Sequence, residues 1–367
     1  MNGAPLSDFE EMTIDELWTE MESSDGFHKG QVLFALFNRK YEANDFGLAH
    51  VYAIQASEVF KQSGHSREYA LALVYSGNAK HAQENYVDAI AYYNQADEPT
   101  IAYGESEDVA ILQGNKANSY LAAELYHEAH DGYLAAESLF AAANVHVRAY
   151  AMALDLGNLQ MRFGQYDLAL DTYGRARGYI VGHGDLTQVA SAEGRMADAL
   201  LKLGRTDEAI THAREDLNMS KTCPCPRCVP DAHLRLGKCL IQAGQLECGL
   251  DYIEMAREAF HKINEPGMQG HCLFAKAVAL KDSDPNQARD LLEQARSIYA
   301  GLDWSWPLDK VLVSIADLDL AEGNSTDAVA AYQQVLIRAK ELSRHGLEQE
   351  VEKRLAGIPV AELNGAF

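Results

Sequence analysis

Three cysteines fall within six residues of this chain, in the run Cys223-Pro224-Cys225-Pro226-Arg227-Cys228. Cys225 and Cys228 have the C-x2-C spacing of a zinc knuckle, because two intervening residues let both sulfurs turn toward one ion. Cys223 supplies a third sulfur. A tetrahedral set needs a fourth ligand, which His233 or His212 could provide. The expectation is therefore a closed, structural zinc site at Cys223, Cys225, Cys228 and His233. The same spacing also serves free thiols or a regulatory disulfide, and that alternative stays open. Cys239, Cys248 and Cys272 fall in helical packing positions and read as small core residues.

A second set of polar residues repeats. Asn38, Asn78, Asn118 and Asn158 recur at intervals of 40, followed at the same register by Asp198 and Lys238. Helix propensity gives no reason to select Asn repeatedly. Its amide carries one acceptor and two donors in one plane, which matches the C=O and N–H of a peptide backbone. The competing reading has each Asn bonding a neighbouring repeat and fixing how repeats stack. Arg162, Arg195, Lys202, Arg235, Lys238 and Lys281 form a basic series among the units that follow. They could pair with acidic side chains or the terminal carboxylate of a bound peptide. The competing reading is salt bridging between repeats. Phe34, Tyr41, Tyr75 and His81 are placed to add contacts at the N-terminal end.

Catalytic patterns do not emerge. The chain has no phosphate-cradling G-x-x-x-x-G-K-[ST], no dinucleotide G-x-G-x-x-G after a strand, no G-x-S-x-G and no H-E-x-x-H. His28, His65, His183 and His271 form no defensible pattern with other groups. A non-catalytic protein is expected.

The elements that position these residues follow from internal repetition. Small residues recur at Ala49, Ala89, Ala129, Ala169, Ala209, Gly249, Ala288 and Ala328. Three positions before the first four stand Phe46, Tyr86, Tyr126 and Tyr166. Four after come Tyr93, Tyr133, Tyr173 and, in the last unit, Tyr332. Offsets of three and four share one helix face. A second small residue precedes the marker in most units, at Gly77, Ala117, Gly157, Ala197, Gly237 and Ala316. Between the two small residues lies a turn, marked by Gly164, Gly204, Gly244 and Gly323, since Gly ends a helix in the left-handed conformation cheaply. Each unit reads as helix, tight turn, helix. One such hairpin cannot bury its apolar face alone, whereas stacked hairpins share a core.

The unit Leu156-Gly157-Asn158, Phe163-Gly164-Gln165-Tyr166-Asp167-Leu168-Ala169, Tyr173 and Ala176 resembles the tetratricopeptide (TPR) pattern in its 40-residue variety. The resemblance spans residues 30–340, with Pro285 and Ser325 replacing the aromatic in the last two units. It implies an all-α, right-handed superhelical solenoid of about eight hairpins, with first helices lining the concave side. In kinesin light-chain and bacterial peptide-pheromone-receptor arrays, which this chain resembles in its Asn residues and 40-residue spacing, Asn at this register grips ligand backbone. The implied ligand sites are therefore Asn38, Asn78, Asn118, Asn158, Arg162, Arg195, Asp198, Lys202, Arg235 and Lys238.

The expected organisation is an acidic segment with a short helix over 1–29, the eight-hairpin array over 30–342, and a capping helix with tail over 343–367. Lys and Arg number 31 against 54 acids, a net charge of −23, and residues 1–25 hold acids but no Lys or Arg. So acidic a surface repels phosphate backbones and anionic membranes. No 18-residue apolar run and no basic, apolar leader is present. The expectation is a cytoplasmic protein that binds protein or peptide, neither nucleic acid nor membrane. The alternative is a scaffold whose repeat surface is an obligate interface in a larger assembly.

Overall fold

Each hairpin is dictated by where its helices must stop. At the turn inside hairpins one to six and eight, one residue adopts the left-handed conformation: Asn44, Glu84, Glu124, Gly164, Gly204, Gly244 and Gly323. The chain reverses there within three residues. In the computed structural model, which describes residues 9, 11–183, 186–342 and 344–358, every described element is helical. By contact, the chain divides into two compact units, Met1–Asp185 and Leu186–Phe367.

The first unit opens with α1 (Ile14–Ser23), capped by Thr13 and Glu16 in a reciprocal box. Four hairpins follow: α2 (Gly26–Glu42) with α3 (Phe46–Gln62), α4 (Ser66–Ala82) with α5 (Tyr86–Tyr103), α6 (Ser106–Ala122) with α7 (Tyr126–Ala142), and α8 (His146–Arg162) with α9 (Tyr166–Ile180). The first hairpin begins at Gly26, upstream of the expected residue 30. Leu17 of α1 is fully buried in the cluster formed by Val32, Leu33, Leu36 and Phe60.

The second unit repeats the plan: α10 (Leu186–Lys202) with α11 (Thr206–Ser220), α12 (Cys228–Gln242) with α13 (Leu246–Lys262), α14 (Pro266–Leu280) with α15 (Pro285–Gly301), and α16 (Ser305–Ala321) with α17 (Ser325–Glu341). It closes with α18 (His345–Ala356), whose Leu347 and Val351 are buried against Val313, Ala316 and Tyr332. Of the expected tail, Ile358 is buried in the same cluster, and the residues after it lie outside the described ones.

The small residues that set the period do so through steric fit. A Cβ on Gly157 would lie 2.4 Å from the Tyr173 ring, and one on Gly77 equally close to Tyr93. Hairpin three inverts the device: Ala117 stands in the first helix, and Gly132 of the second would meet it at 2.9 Å. Hairpin one exchanges large for small altogether, with Phe37 facing the register where later hairpins keep Gly or Ala. The volume is conserved across the helix pair even though no single column is invariant.

This fit reverses the ordinary effect of Gly→Ala in a helix. At Gly174, in the same hairpin, a Cβ would meet nothing within 4 Å. Gly174→Ala is expected to stabilise by about 0.5–1 kcal/mol through backbone entropy. Gly157→Ala is expected to destabilise by about 1–3 kcal/mol, because the buried Tyr173 ring has nowhere to retreat. Denaturant titration of the two variants side by side measures both signs.

Candidate peptide-binding face of the first helices

The Asn register is built from two helices of one hairpin. Tyr93 Oη donates to Asn78 Oδ1 at 2.8 Å, Tyr133 Oη to Asn118 Oδ1 at 2.7 Å, and Tyr173 Oη to Asn158 Oδ1 at 2.9 Å. Each tyrosine ring is about 1% exposed, so its hydroxyl is the one part that reaches the amide. Burial raises the phenols of Tyr93 and Tyr133, which keeps them as neutral donors. In the last hairpin Tyr332 Oη makes the same bond, at 2.5 Å, to Asp317 Oδ1. The first hairpin lacks the partner, having Ala53 where the tyrosine would stand, and Asn38 is half-buried there.

At three places a second link runs from the register residue to a side chain 37 residues on. Asn115 Nδ2 donates to Asn78 Oδ1 at 3.0 Å, Arg235 Nε to Asp198 Oδ2 at 3.1 Å, and Arg354 Nε to Asp317 Oδ1 at 2.8 Å. At these three places the partners are matched: the neutral donor Asn115 meets an amide, and the guanidinia of Arg235 and Arg354 meet carboxylates.

The structure adds one fact to the expectation that these Asn residues meet a ligand: Asn78, Asn118 and Asn158 each already accept a tyrosine hydroxyl at Oδ1. The competing sequence reading also needs revision, since the packing bond is to a tyrosine hydroxyl and not to backbone. Asn118 is the most exposed of the set; Asn78 and Asn158 are half-buried.

In the first unit these groups converge. Tyr41, Asn78, His81, Tyr93, Asn115 and Asn118 line one recess of about 200 Å³. His81 Nδ1 bonds Ser119 Oγ at 2.8 Å, and burial lowers the imidazole's pKa, which favours its neutral form. The recess therefore presents amide N–H groups and neutral aromatic rings. Asn115 belongs to it but does not stand out in the sequence, because its register elsewhere holds Asp155, Arg235 and other types.

The basic series separates into different roles. Arg162 lies over the Tyr126 ring at 4.9 Å and donates to its hydroxyl at 3.0 Å, away from the Asn recess. Arg235 is consumed internally. It bridges Asp198 and Asp216, with its side chain 18% exposed. Burial opposes its charge, and the two carboxylates outweigh burial to raise its pKa. Asp198 and Arg235, both expected at the ligand site, thus take part in an internal ion-pair network. Gly194 makes the bridge possible, since a Cβ there would sit 2.5 Å from the guanidinium. Lys281 faces Asp317 at 3.9 Å. Arg195 and Lys202 of α10 and Lys238 of α12 are exposed, and no ion pair among the described residues engages them.

The expected zinc set is not assembled. Among the described residues no group of three or more His, Cys, Asp or Glu is placed to hold a metal ion. Cys223 Sγ and Cys228 Sγ stand 2.9 Å apart, nearer than the edge of about 3.8 Å that two thiolates on one tetrahedral zinc would span. His212 Nδ1 bonds Glu193 at 2.6 Å and is engaged elsewhere, whereas His233 packs its ring on Tyr252 at 5.7 Å and its buried Nδ1 has no hydrogen-bond partner.

No protein-family model and no curated protein matches this chain. Solved structures do. The apo quorum sensor NprR from B. thuringiensis aligns at a TM-score of 0.65 with 17% identity, covering 88% of this chain and 90% of that one. Apo RapI aligns at 0.64 with 12% identity, covering 75% and 99%. A Rap protein complexed with competence and sporulation factor aligns at 0.56 with 12% identity, covering 92% and 91%. The fold is the all-α tetratricopeptide-type repeat fold. No helix in the described residues is long and apolar enough to cross a membrane.

Proposed function

We propose that this chain is a non-catalytic receptor that holds an extended polypeptide against the first helices of its hairpins. The observation that carries this reading is the recess lined by Asn78, Asn115 and Asn118, together with the Tyr–Asn bonds that hold two of these amides in place. A row of fixed donors suits the carbonyl oxygens of a main chain, which recur regardless of sequence. Fixing the amide in advance removes part of the ordering cost of binding. Tyr41 and His81 add flat apolar surface for side chains. In the second unit, the exposed Arg195, Lys202 and Lys238 are suited to carboxylates of a bound peptide. The structural likeness to a Rap protein complexed with competence and sporulation factor and to a quorum sensor supports a receptor role.

Selection of a displayed random-peptide library against the full chain supplies ligands for the test. The Asn78→Ala, Asn118→Ala double variant is expected to bind the selected peptides about 10-fold more weakly, the equivalent of two ordinary hydrogen bonds. Tyr133→Phe, which keeps Asn118 but frees its amide, is expected to lose less. Unchanged affinity in the double variant, with helical content intact, removes this face from the reading. In that case the scaffold alternative, favoured by the internal use of the Asn oxygens, takes its place.

A further inference from the structure

The junction between α11 and α12 differs from the others. Residues 221–227 make this connection, whereas 63–65 and 143–145 suffice at comparable junctions. The longer link and the first residue of α12 carry the three clustered cysteines, none of them in a disulfide. Their sulfurs are not equivalent. Cys223 Sγ accepts the Cys225 backbone N–H at 3.3 Å and the Thr187 hydroxyl at 3.3 Å, two donors that favour a thiolate. Cys228 Sγ lies 2.9 Å from Cys223 Sγ and opens α12. Cys225 is the exposed member.

We infer that Cys223 and Cys228 form a reversible dithiol–disulfide pair, a modification site that exchanges with low-molecular-weight disulfides. Cys223 is the attacking sulfur and Cys228 the resolving one. As a thiolate, Cys223 attacks one sulfur of the small disulfide R–S–S–R, whose S–S bond breaks as the mixed Cys223–S–S–R bond forms. The first RS⁻ leaves and takes up a proton. Cys228 then gives up its proton, attacks Cys223 Sγ and expels the second RS⁻. The two cysteines lose two electrons, R–S–S–R gains them, and the two thiol protons end on two RSH.

The bridge would tie the link, anchored near the start of α10 through Thr187, to the first residue of α12. Cys239 and Cys272 are buried, and Cys248 is exposed without a second cysteine beside it, so the remaining thiols offer no competing pair.

The full-length chain, reduced and then equilibrated with oxidised glutathione, is quenched in acid, alkylated in denaturant and mapped by mass spectrometry. The expected product has lost two of its six alkylatable thiols. It carries a Cys223–Cys228 cross-link lighter by two hydrogens, which dithiothreitol reverses. Cys225→Ser is expected to leave that cross-link intact, and Cys223→Ser to abolish it. A bridge that includes Cys225, or a lasting glutathione adduct in place of any bridge, overturns the assignment. So does retention of about one equivalent of zinc in protein purified without chelator, with all three thiols shielded until chelator is added.

Discussion

Arg235→Met is expected to lower the unfolding free energy of the second unit by about 3–5 kcal/mol, the largest loss for a single substitution in the first helices. The guanidinium joins Asp198 of α10 to Asp216 of α11 from its place on α12, so one side chain ties three helices. Asp216 is 5% exposed and keeps Ser220 Oγ at 3.1 Å as a further donor, which cannot replace a cation. Met fills much the same volume, so the cost is that of a stranded carboxylate and not of a cavity. Burial already holds the Asp216 carboxyl above its usual range, with Arg235 opposing that rise. Without Arg235 the folded-state value climbs further above the unfolded one. The native variant then binds a proton more tightly than its unfolded chain. Stability consequently rises as pH falls through the raised value toward the unfolded one, and is lost again as pH climbs. The gap between variant and wild type in denaturant midpoint is expected to narrow from pH 7 toward pH 4. A gap that stays constant, or one under about 1 kcal/mol at pH 7, contradicts the account. Adding Asp216→Leu and Asp198→Leu should restore most of the loss, since removing all charges together strands none.

That network marks the limit of what the sequence disclosed. The period was legible because steric demands repeat: Ala49, Ala89, Ala129 and their successors are fully buried wherever helices approach. Turn positions were legible where Gly164, Gly204, Gly244 and Gly323 occupy them. Glu84 and Glu124 fill the same left-handed place at φ of 60° and 62°, where residue type gives no warning. Both columns of the Tyr–Asn pair were visible, yet neither says that the hydroxyl meets the amide. That contact joins positions 15 apart across a turn, and only the tilt between the two helices aligns them. The bond to the following hairpin spans 37 residues, and its donor changes from Asn115 to Arg235 to Arg354. The chemistry is kept while the residue is not, so column-by-column reading misses it. Gly194 looked like an unremarkable helix glycine until the guanidinium beside it was placed. At the cysteines, spacing alone serves a metal and a disulfide equally, and it does not reveal that the Cys223 and Cys228 sulfurs lie 2.9 Å apart.

The Tyr–Asn bond has a counterpart in stability that distinguishes ring from hydroxyl. Tyr133→Ala is expected to cost about 3–5 kcal/mol, as for other buried aromatic truncations. The ring is 1% exposed and packs with Ala117, Ala129, Leu156 and Leu159, so it joins its own hairpin to the next. Tyr133→Phe keeps that packing and loses the 2.7 Å bond to Asn118. Because Asn118 is exposed, water can replace the hydroxyl on its oxygen, and the Phe variant is expected to lose only about 1 kcal/mol. Hairpins interact mainly with their neighbours, so hydrogen exchange in the Ala variant should accelerate first in α6, α7 and α8. Losses of equal size in the Phe and Ala variants would move the weight from the ring to the hydroxyl. The two variants also separate stability from recognition. If the hydroxyl orients the Asn118 amide for a ligand, the Phe variant should weaken peptide binding while barely changing the denaturation midpoint. A purely packing role for the Asn–Tyr pair predicts the reverse: affinity unchanged, with stability alone responding.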